Sequence, residues 1–274
     1  MHAFILMARI NINSMSKSKR SRKTKTVNVS GTESKSAPAL DTSPYVFQRE
    51  KIKHELNIRE LPWTEKQKAL IELITHKDTK AVFISGPAGT SKTMLATYCG
   101  LKLLNQRKIS EIIYIRSVVE SASKSLGFLP GEADDKLKPF IMPLIDKLEE
   151  LLSASSIKFL LEDQRIKPIP INFLRGASFN VNYIIADEMQ NAEFSEIQTI
   201  ITRMGNFSKF IFCGDPMQTD IREKGRTGFK PLFDLFNDEE SRDKGIYCVE
   251  LLEEDIMRSE ILKFIVSKLQ MYKK

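Results

Sequence analysis

The sequence predicts an α/β fold, a parallel sheet flanked by helices, and three stretches carry that prediction. Each is a short apolar run rich in Val, Ile or Phe, and each ends in polar or glycine-bearing chemistry. Ala81 to Ile84 runs into the small-residue turn GPAGTSKT. Asn182 to Ala186 runs into Asp187 and Glu188, and Lys209 to Cys213 runs into Gly214 and Asp215. Short continuous apolar runs suit strands buried on both faces, as in parallel sheets covered by helices. In open sheets of that kind the ligand crevice lies at the carboxyl ends of the strands, so these three ends converge on one site.

The first of them is the most specific. Gly86, Pro87, Ala88, Gly89, Thr90 and Ser91 form a small turn before Lys92, Thr93 and a helix-like stretch. A strand, a small-residue loop, Lys-Thr and a helix together cradle a nucleoside triphosphate, because backbone N–H groups face the phosphates. Lys92 is placed to reach the β and γ phosphates, and the Thr93 hydroxyl to ligate Mg²⁺. Ser91 stands where the pattern G-x-x-x-x-G-K-[ST] has its second Gly. A side chain there is expected to be tolerated only at φ < 0.

The other two strand ends supply the remaining chemistry. Asp187 is expected to hold Mg²⁺ through its water shell, since Mg²⁺ takes few carboxylates and keeps several waters. Glu188 is expected to orient or deprotonate an attacking water. Gln218, three residues beyond Asp215, is expected to sense the γ-phosphate, and Gln190 is an alternative for that role.

The rest of the chain reads coarsely. Phe47 to Ile58 is expected to be an entry strand or helix. Thr64 is a plausible N-cap for a helix to about His76, with Gln67 completing a capping box. A strand at Glu111 to Arg116 follows the phosphate-loop helix, and no core strand is legible between Val118 and Phe179. Helical spacing over Lys136 to Leu152 marks an insertion, in which Pro139 and Pro143 argue for a start or a kink. A strand at Ile246 to Leu251 and a helix from about Met257 to Met271 close the chain.

Composition agrees with a folded domain: 42% hydrophobic and 28% charged residues are ordinary values. No apolar run approaches the roughly 20 residues that cross a bilayer, and the opening MHAFILMARI lacks the flanks of a signal peptide. Cys99, Cys213 and Cys248 have no metal spacing and read as buried thiols of a cytoplasmic protein. The formal charge of +7 is unevenly spread: residues 1 to 53 carry +8 and the remainder −1. Residues 1–45 are therefore read as a disordered basic arm rich in Ser and Lys, and 46–274 as the folded domain. The arm is a candidate contact for RNA or DNA phosphates, with a solubilising tail as the alternative.

These motifs occur in a recognisable order. GPAGTSKT is followed by LGFLPG (Leu126 to Gly131), FLRG (Phe173 to Gly176), DEMQN (Asp187 to Asn191), GDPMQTD (Gly214 to Asp220) and DIMR (Asp255 to Arg258). Over Trp63 to Leu269 this resembles the PhoH-like proteins, phosphate-starvation-inducible ATP-binding proteins with a core similar to superfamily I helicases. Its brevity is similar to that of bacteriophage members. The resemblance implies a single RecA-like P-loop NTPase core with a helical insertion after the second core strand, and ATP with Mg²⁺ as cofactors. It also implies that Gln67 contacts adenine and that Arg258 acts as an arginine finger, in cis or from a neighbouring subunit. Arg116 matches a family arginine, although Ser117 replaces the usual Pro after it, and Arg226 matches a basic turn.

One core leaves the nucleotide open on one side, whereas a helicase motor closes it between two. The expectation is a homo-oligomeric ring, such as a hexamer, in which another copy supplies the second wall. Two functions remain: an ATPase coupled to RNA or single-stranded DNA, and a nucleotide-binding module in which ATP gates partner recruitment. A small-molecule kinase fits less well, because it does not call for Asp215 and Gln218 on a further strand.

Overall fold

The computed structural model describes residues 52, 55–117, 133–174, 176, 178–219, 227–256, 261, 264, 265 and 268. All fall in the compact unit Phe47–Lys274. The basic arm, the LGFLPG motif, Arg226 and Arg258 lie outside the described residues.

The chain enters through an irregular segment and starts helix α1 at Glu65–Thr75. The expected capping box is present: Thr64 Oγ1 accepts the Gln67 N–H, and Gln67 Oε1 accepts the Thr64 N–H. Strand β1 (Ala81–Ser85), helix α2 (Lys92–Asn105) and strand β2 (Glu111–Arg116) follow. Helices α3 (Ala133–Leu151) and α4 (Ala154–Glu162) lead to the short strand β3 (Ile166–Pro168). The remainder is β4 (Asn182–Asp187), α5 (Phe194–Ile201), β5 (Lys209–Gly214), α6 (Phe229–Leu235), α7 (Glu239–Asp243) and β6 (Ile246–Glu250). The described residues of the expected last helix, Ile261, Phe264, Ile265 and Lys268, are helical.

All pairings in the six-stranded sheet are parallel, in the order β3-β2-β4-β5-β1-β6. Strand β5 thus lies between β1, which carries the phosphate loop, and β4, which carries Asp187. Among the described residues this is one parallel sheet with helices on both faces, the α/β class expected.

Alternation along β1 divides its side chains between two cores. Val82 and Ile84 join Leu95, Cys99 and Leu103 of α2 and Leu144 and Leu148 of α3. Ala81 and Phe83 face the other way, with Ile197 of α5 and Phe229 of α6. There Phe83 stacks on Phe212 with ring centroids 4.6 Å apart. Each such fully buried side chain contributes about 1.5–3 kcal/mol of transfer free energy. Gly100 sets how closely α2 approaches the sheet: a Cβ there would stand 2.9 Å from the Tyr183 ring. Gly100→Val would push that helix, and the phosphate loop at its start, off the sheet.

Three expectations are corrected. Strand β3 lies between Val118 and Phe179, where none was read; it is three residues long, includes Pro168, and pairs only with β2. An edge position tolerates Pro because its missing N–H can face away from the ladder. The described part of Phe47 to Ile58 is neither strand nor helix. It is held instead by Asn105, whose side chain accepts from Leu56 N and donates to Leu56 O. Helix α3 begins at Ala133, earlier than expected, and includes both Pro139 and Pro143.

Candidate nucleotide site

The phosphate loop lies at the carboxyl end of β1, wedged between the neighbouring strand ends. Gly86 N–H donates to Gly214 O at 3.3 Å, and Leu251 N–H donates to Ser85 O at 2.7 Å. A Cβ on Gly86 would come within 2.7 Å of Leu251 O, so only glycine permits this approach. Gly89 turns the loop at φ 87°. The Thr90 hydroxyl closes it by donating to Pro87 O at 2.8 Å.

Ser91 departs from expectation. It sits at φ 65°, ψ 26°, in the left-handed region, and makes no side-chain cap to α2. The chain there must turn sharply to present the first N–H groups of α2 to the cleft, and that turn needs the conformation a glycine adopts without strain. A side chain raises its cost by about 1–2 kcal/mol. Ser91 is tolerated with strain, not by escaping to negative φ.

Lys92 Nζ donates to Gly86 O and Pro87 O, at 2.7 and 2.9 Å, which leaves one of its three protons for another acceptor. Burial lowers its pKa, against the opposing pull of Asp215 first and also of Asp187 and Glu188. Thr93 Oγ1 donates to Asp187 Oδ1 at 2.8 Å, joining the start of α2 to the end of β4. Tyr114 on β2 donates its hydroxyl to the other carboxylate oxygen, also at 2.8 Å. Burial pushes the Asp187 carboxyl above its usual range, and Glu188 pushes the same way; the hydrogen bonds from Thr93 and Tyr114 pull it back.

Glu188 is the second non-glycine residue of the cleft held left-handed, at φ 56°, ψ 37°. Its carboxylate accepts from Gln190 Nε2 at 2.6 Å. Gln190 Oε1 in turn accepts the Asp215 N–H at 3.0 Å, so one buried amide spans the ends of β4 and β5. Asp215 Oδ1 caps the following turn by accepting from Met217 N.

These groups share one cleft of about 450 Å³, a size ordinary for a small-molecule site. Ala88, Gly89, Ser91, Lys92, Thr93, Asp187, Glu188 and Gln218 of the expected set line it, with Gln190 and Asp215. Gln218 is on its exposed rim, whereas Gln190 is buried. Gly86, Pro87 and Thr90 shape the loop from behind and are not lining residues. Gln67 is fully buried and not among them either: its Nε2 donates to Thr90 O at 3.4 Å and to Asp255 O at 3.2 Å. Arg116, at the end of β2, has a buried Nε without a partner among the described residues.

The cleft lining carries four carboxylates, Glu150, Asp187, Glu188 and Asp215, against two ammonium groups, Lys92 and Lys147, an excess of acidic side chains that a divalent cation would offset. Thr93 Oγ1 and Asp187 Oδ1 are hard oxygen donors of the kind Mg²⁺ takes, one or two from protein and the rest from water and phosphate. Among the described residues no group of three or more His, Cys, Asp or Glu is placed to hold a metal ion. Sequence reasoning missed Tyr114, and also Lys147 and Glu150, which reach the cleft from α3.

The chain has recognisable relatives among known proteins. It matches the family described as PhoH-like protein over residues 60–270. The chain belongs to the PhoH-like family. Among its relatives, the PhoH-like protein of Synechocystis is 33% identical over 203 residues, covering 74% of this chain and 60% of that protein. The PhoH-like protein of Bacillus subtilis is 34% identical over 190 residues, covering 69% of this chain and 58% of that one. The chain therefore spans about three fifths of the length of the curated relatives it matches. Among solved structures, the Pif1 helicase of Candida albicans aligns with a TM-score of 0.36 at 13% identity, over 70% of this chain and 40% of that one. Among the described residues no helix is long and apolar enough to cross a membrane.

Proposed function

We propose that this PhoH-like chain binds ATP with Mg²⁺ in the cleft and hydrolyses it. The observation that carries the reading is the Thr93–Asp187 hydrogen bond, with Lys92 and Glu188 in the same cleft. Loop N–H groups and the Lys92 ammonium hold the β and γ phosphates and neutralise charge as it builds on them. Thr93 and Asp187 would hold the cation, which would supply Lewis-acid neutralisation of phosphate charge. Glu188 orients a water in line with the γ-phosphorus and accepts its proton. A P–O bond to that water forms as the bond to the β-phosphate oxygen breaks, leaving ADP and phosphate. Gln190 holds the Glu188 carboxylate in place during that step.

The turnover is proposed to respond to RNA or single-stranded DNA, with a second copy of the chain, in a ring, covering the open side of the nucleotide. Arg258 is the candidate to act across that junction. Three free cysteines support a site of action in a reducing compartment such as the cytoplasm. One observation favours the alternative of a slow nucleotide-gated binding module: the left-handed Ser91 strains the loop that must close on phosphate.

The deciding experiment is ATP turnover with and without single-stranded RNA and DNA, beside Lys92→Ala and Glu188→Gln. Turnover that rises with nucleic acid and vanishes in both variants establishes the coupled ATPase. ATP binding lost only in Lys92→Ala, with no turnover in any condition, selects the binding module.

A further inference from the structure

Part of the cleft lining comes from residues outside the phosphate loop and the strand ends. Leu61 and Pro62 of the entry segment, Met94 on α2, and Lys147 and Glu150 on α3 supply it. The two walls are tied together, because Arg59 N–H donates to Leu151 O at 2.8 Å and fastens the entry segment to the last turn of α3. Leu61, Pro62 and Met94 are apolar and suit the faces of a base. Glu150 is an acceptor carried by α3, apart from the strand-end carboxylates Asp187, Glu188 and Asp215, and with the apolar Leu61, Pro62 and Met94 beside it in the lining it suits a nucleoside.

We propose that Glu150 accepts hydrogen bonds from the ribose hydroxyls of the bound nucleotide and so selects ribonucleotides over deoxyribonucleotides. The inference rests on the reading of the cleft as an ATP site. A nucleoside offers a carboxylate two kinds of donor, an exocyclic amine and the sugar hydroxyls. Two hydroxyls on adjacent carbons match the two oxygens of one ionised carboxylate, whereas an amine engages it at a single point. Lys147 Nζ lies 2.9 Å from Glu150 Oε1 and is the more buried of the two, its side chain 23% exposed against 53%. An exposed pair of this kind contributes little to stability. Its consequence is positional: Lys147 takes one acceptor site on Oε1, leaving Oε2 and the other lone pairs for the sugar.

The test is equilibrium binding of ATP, 2′-deoxy-ATP and ITP to the full chain, in the wild type, Glu150→Gln, Glu150→Ala and Lys147→Met. ITP keeps the ribose and lacks the exocyclic amine. The wild type is expected to bind ATP about tenfold tighter than 2′-deoxy-ATP, as a charge-assisted hydrogen bond implies. Glu150→Ala should bring that ratio close to one by weakening ATP more than 2′-deoxy-ATP, which keeps only the 3′-hydroxyl, with Glu150→Gln intermediate and Lys147→Met reducing it less. Unaltered thermal unfolding of the variants excludes a folding defect, since Glu150 is half exposed. A ratio unchanged in the Glu150 variants overturns the proposal while leaving ATP binding intact. A variant that alters ATP against ITP, but not ATP against 2′-deoxy-ATP, overturns it in favour of base reading. A wild type that binds no nucleotide overturns the ATP reading itself.

Discussion

Thr93 and Asp187, 94 residues apart in sequence, meet through a 2.8 Å hydrogen bond that crosses from the helix after β1 to the end of β4. Strand β5 separates β1 from β4 in the sheet, so the two chain segments meet above it and not through the ladder.

That contact predicts a metal-specific defect. Thr93→Val keeps the side-chain shape and removes the donor. ATP affinity in the presence of Mg²⁺ should fall at least about tenfold, roughly one charge-assisted hydrogen bond. Affinity in excess chelator should barely change. Equal losses in both conditions would show that Thr93 acts through the loop and not through the cation.

Tyr114→Phe predicts a pH effect. The lost hydrogen bond is one of those that hold the Asp187 carboxyl down, so its already raised pKa rises further. The cation needs the ionised carboxylate. Mg²⁺-dependent ATP binding should therefore fail at a higher pH in the variant as the solution is acidified. Titrating affinity from neutral pH downward measures the displacement.

Strain at Ser91 predicts a gain. Ser91→Gly removes about 1–2 kcal/mol of left-handed strain and returns part of it as unfolded-chain entropy. The net expectation is up to about 1 kcal/mol of added stability in chemical denaturation, with ATP bound more tightly. Ser91→Val should go the other way, because a β-branched residue tolerates that region least.

Gln190→Leu predicts a split between binding and turnover. The variant frees Glu188 and the Asp215 N–H from their shared partner. Turnover should drop at least tenfold, in the range of a misplaced general base, while the ATP dissociation constant stays within about twofold. A dissociation constant that shifts as much as the rate would mean that the amide supports the loop.

Lys209 predicts the alkaline stability profile. Its ammonium caps the end of α1, donating to His76 O and Thr79 O, and burial lowers its pKa to about 8. The folded state thus releases this proton before the unfolded state does. Stability from this group is constant below pH 8, rises through the window up to its ordinary value of 10.5, and is level above it. The rise is about 3 kcal/mol at most. Other groups titrate in the same range, so the readout is the difference between wild type and Lys209→Met in denaturant midpoints from pH 7 to 10.

How much of this was legible depends on the residue. Strands β1, β4 and β5 are continuous apolar runs, and their ends announce the phosphate loop, Asp187 and Asp215. The capping box at Thr64 and Gln67 is local chemistry, readable without a fold. Strand β3 is not, because three residues have no period and only pairing with β2 makes IKP a strand. Tyr114 lies inside the strand read at Glu111 to Arg116; that its hydroxyl reaches Asp187 follows from the register of β2 on β4. Lys147 and Glu150 lie in the stretch read as a helical insertion, and which face of α3 meets the cleft is decided by docking, not spacing. Ser91 was misjudged because the loop's geometry overrides the preference of the residue it contains.

Gln67 has a consequence of its own. Its single –NH₂ group is shared between Thr90 O in the phosphate loop and Asp255 O in the segment leading to Arg258, and Lys66 grips Asp255 from the same helix turn. Helix α1 therefore works as a crosspiece between the loop and the turn at Glu253–Asp255. Any displacement of that turn draws on the same amide that steadies the loop, and any tightening of the loop draws on the turn. Whatever holds one in place also tunes the other, to an equal degree in both directions.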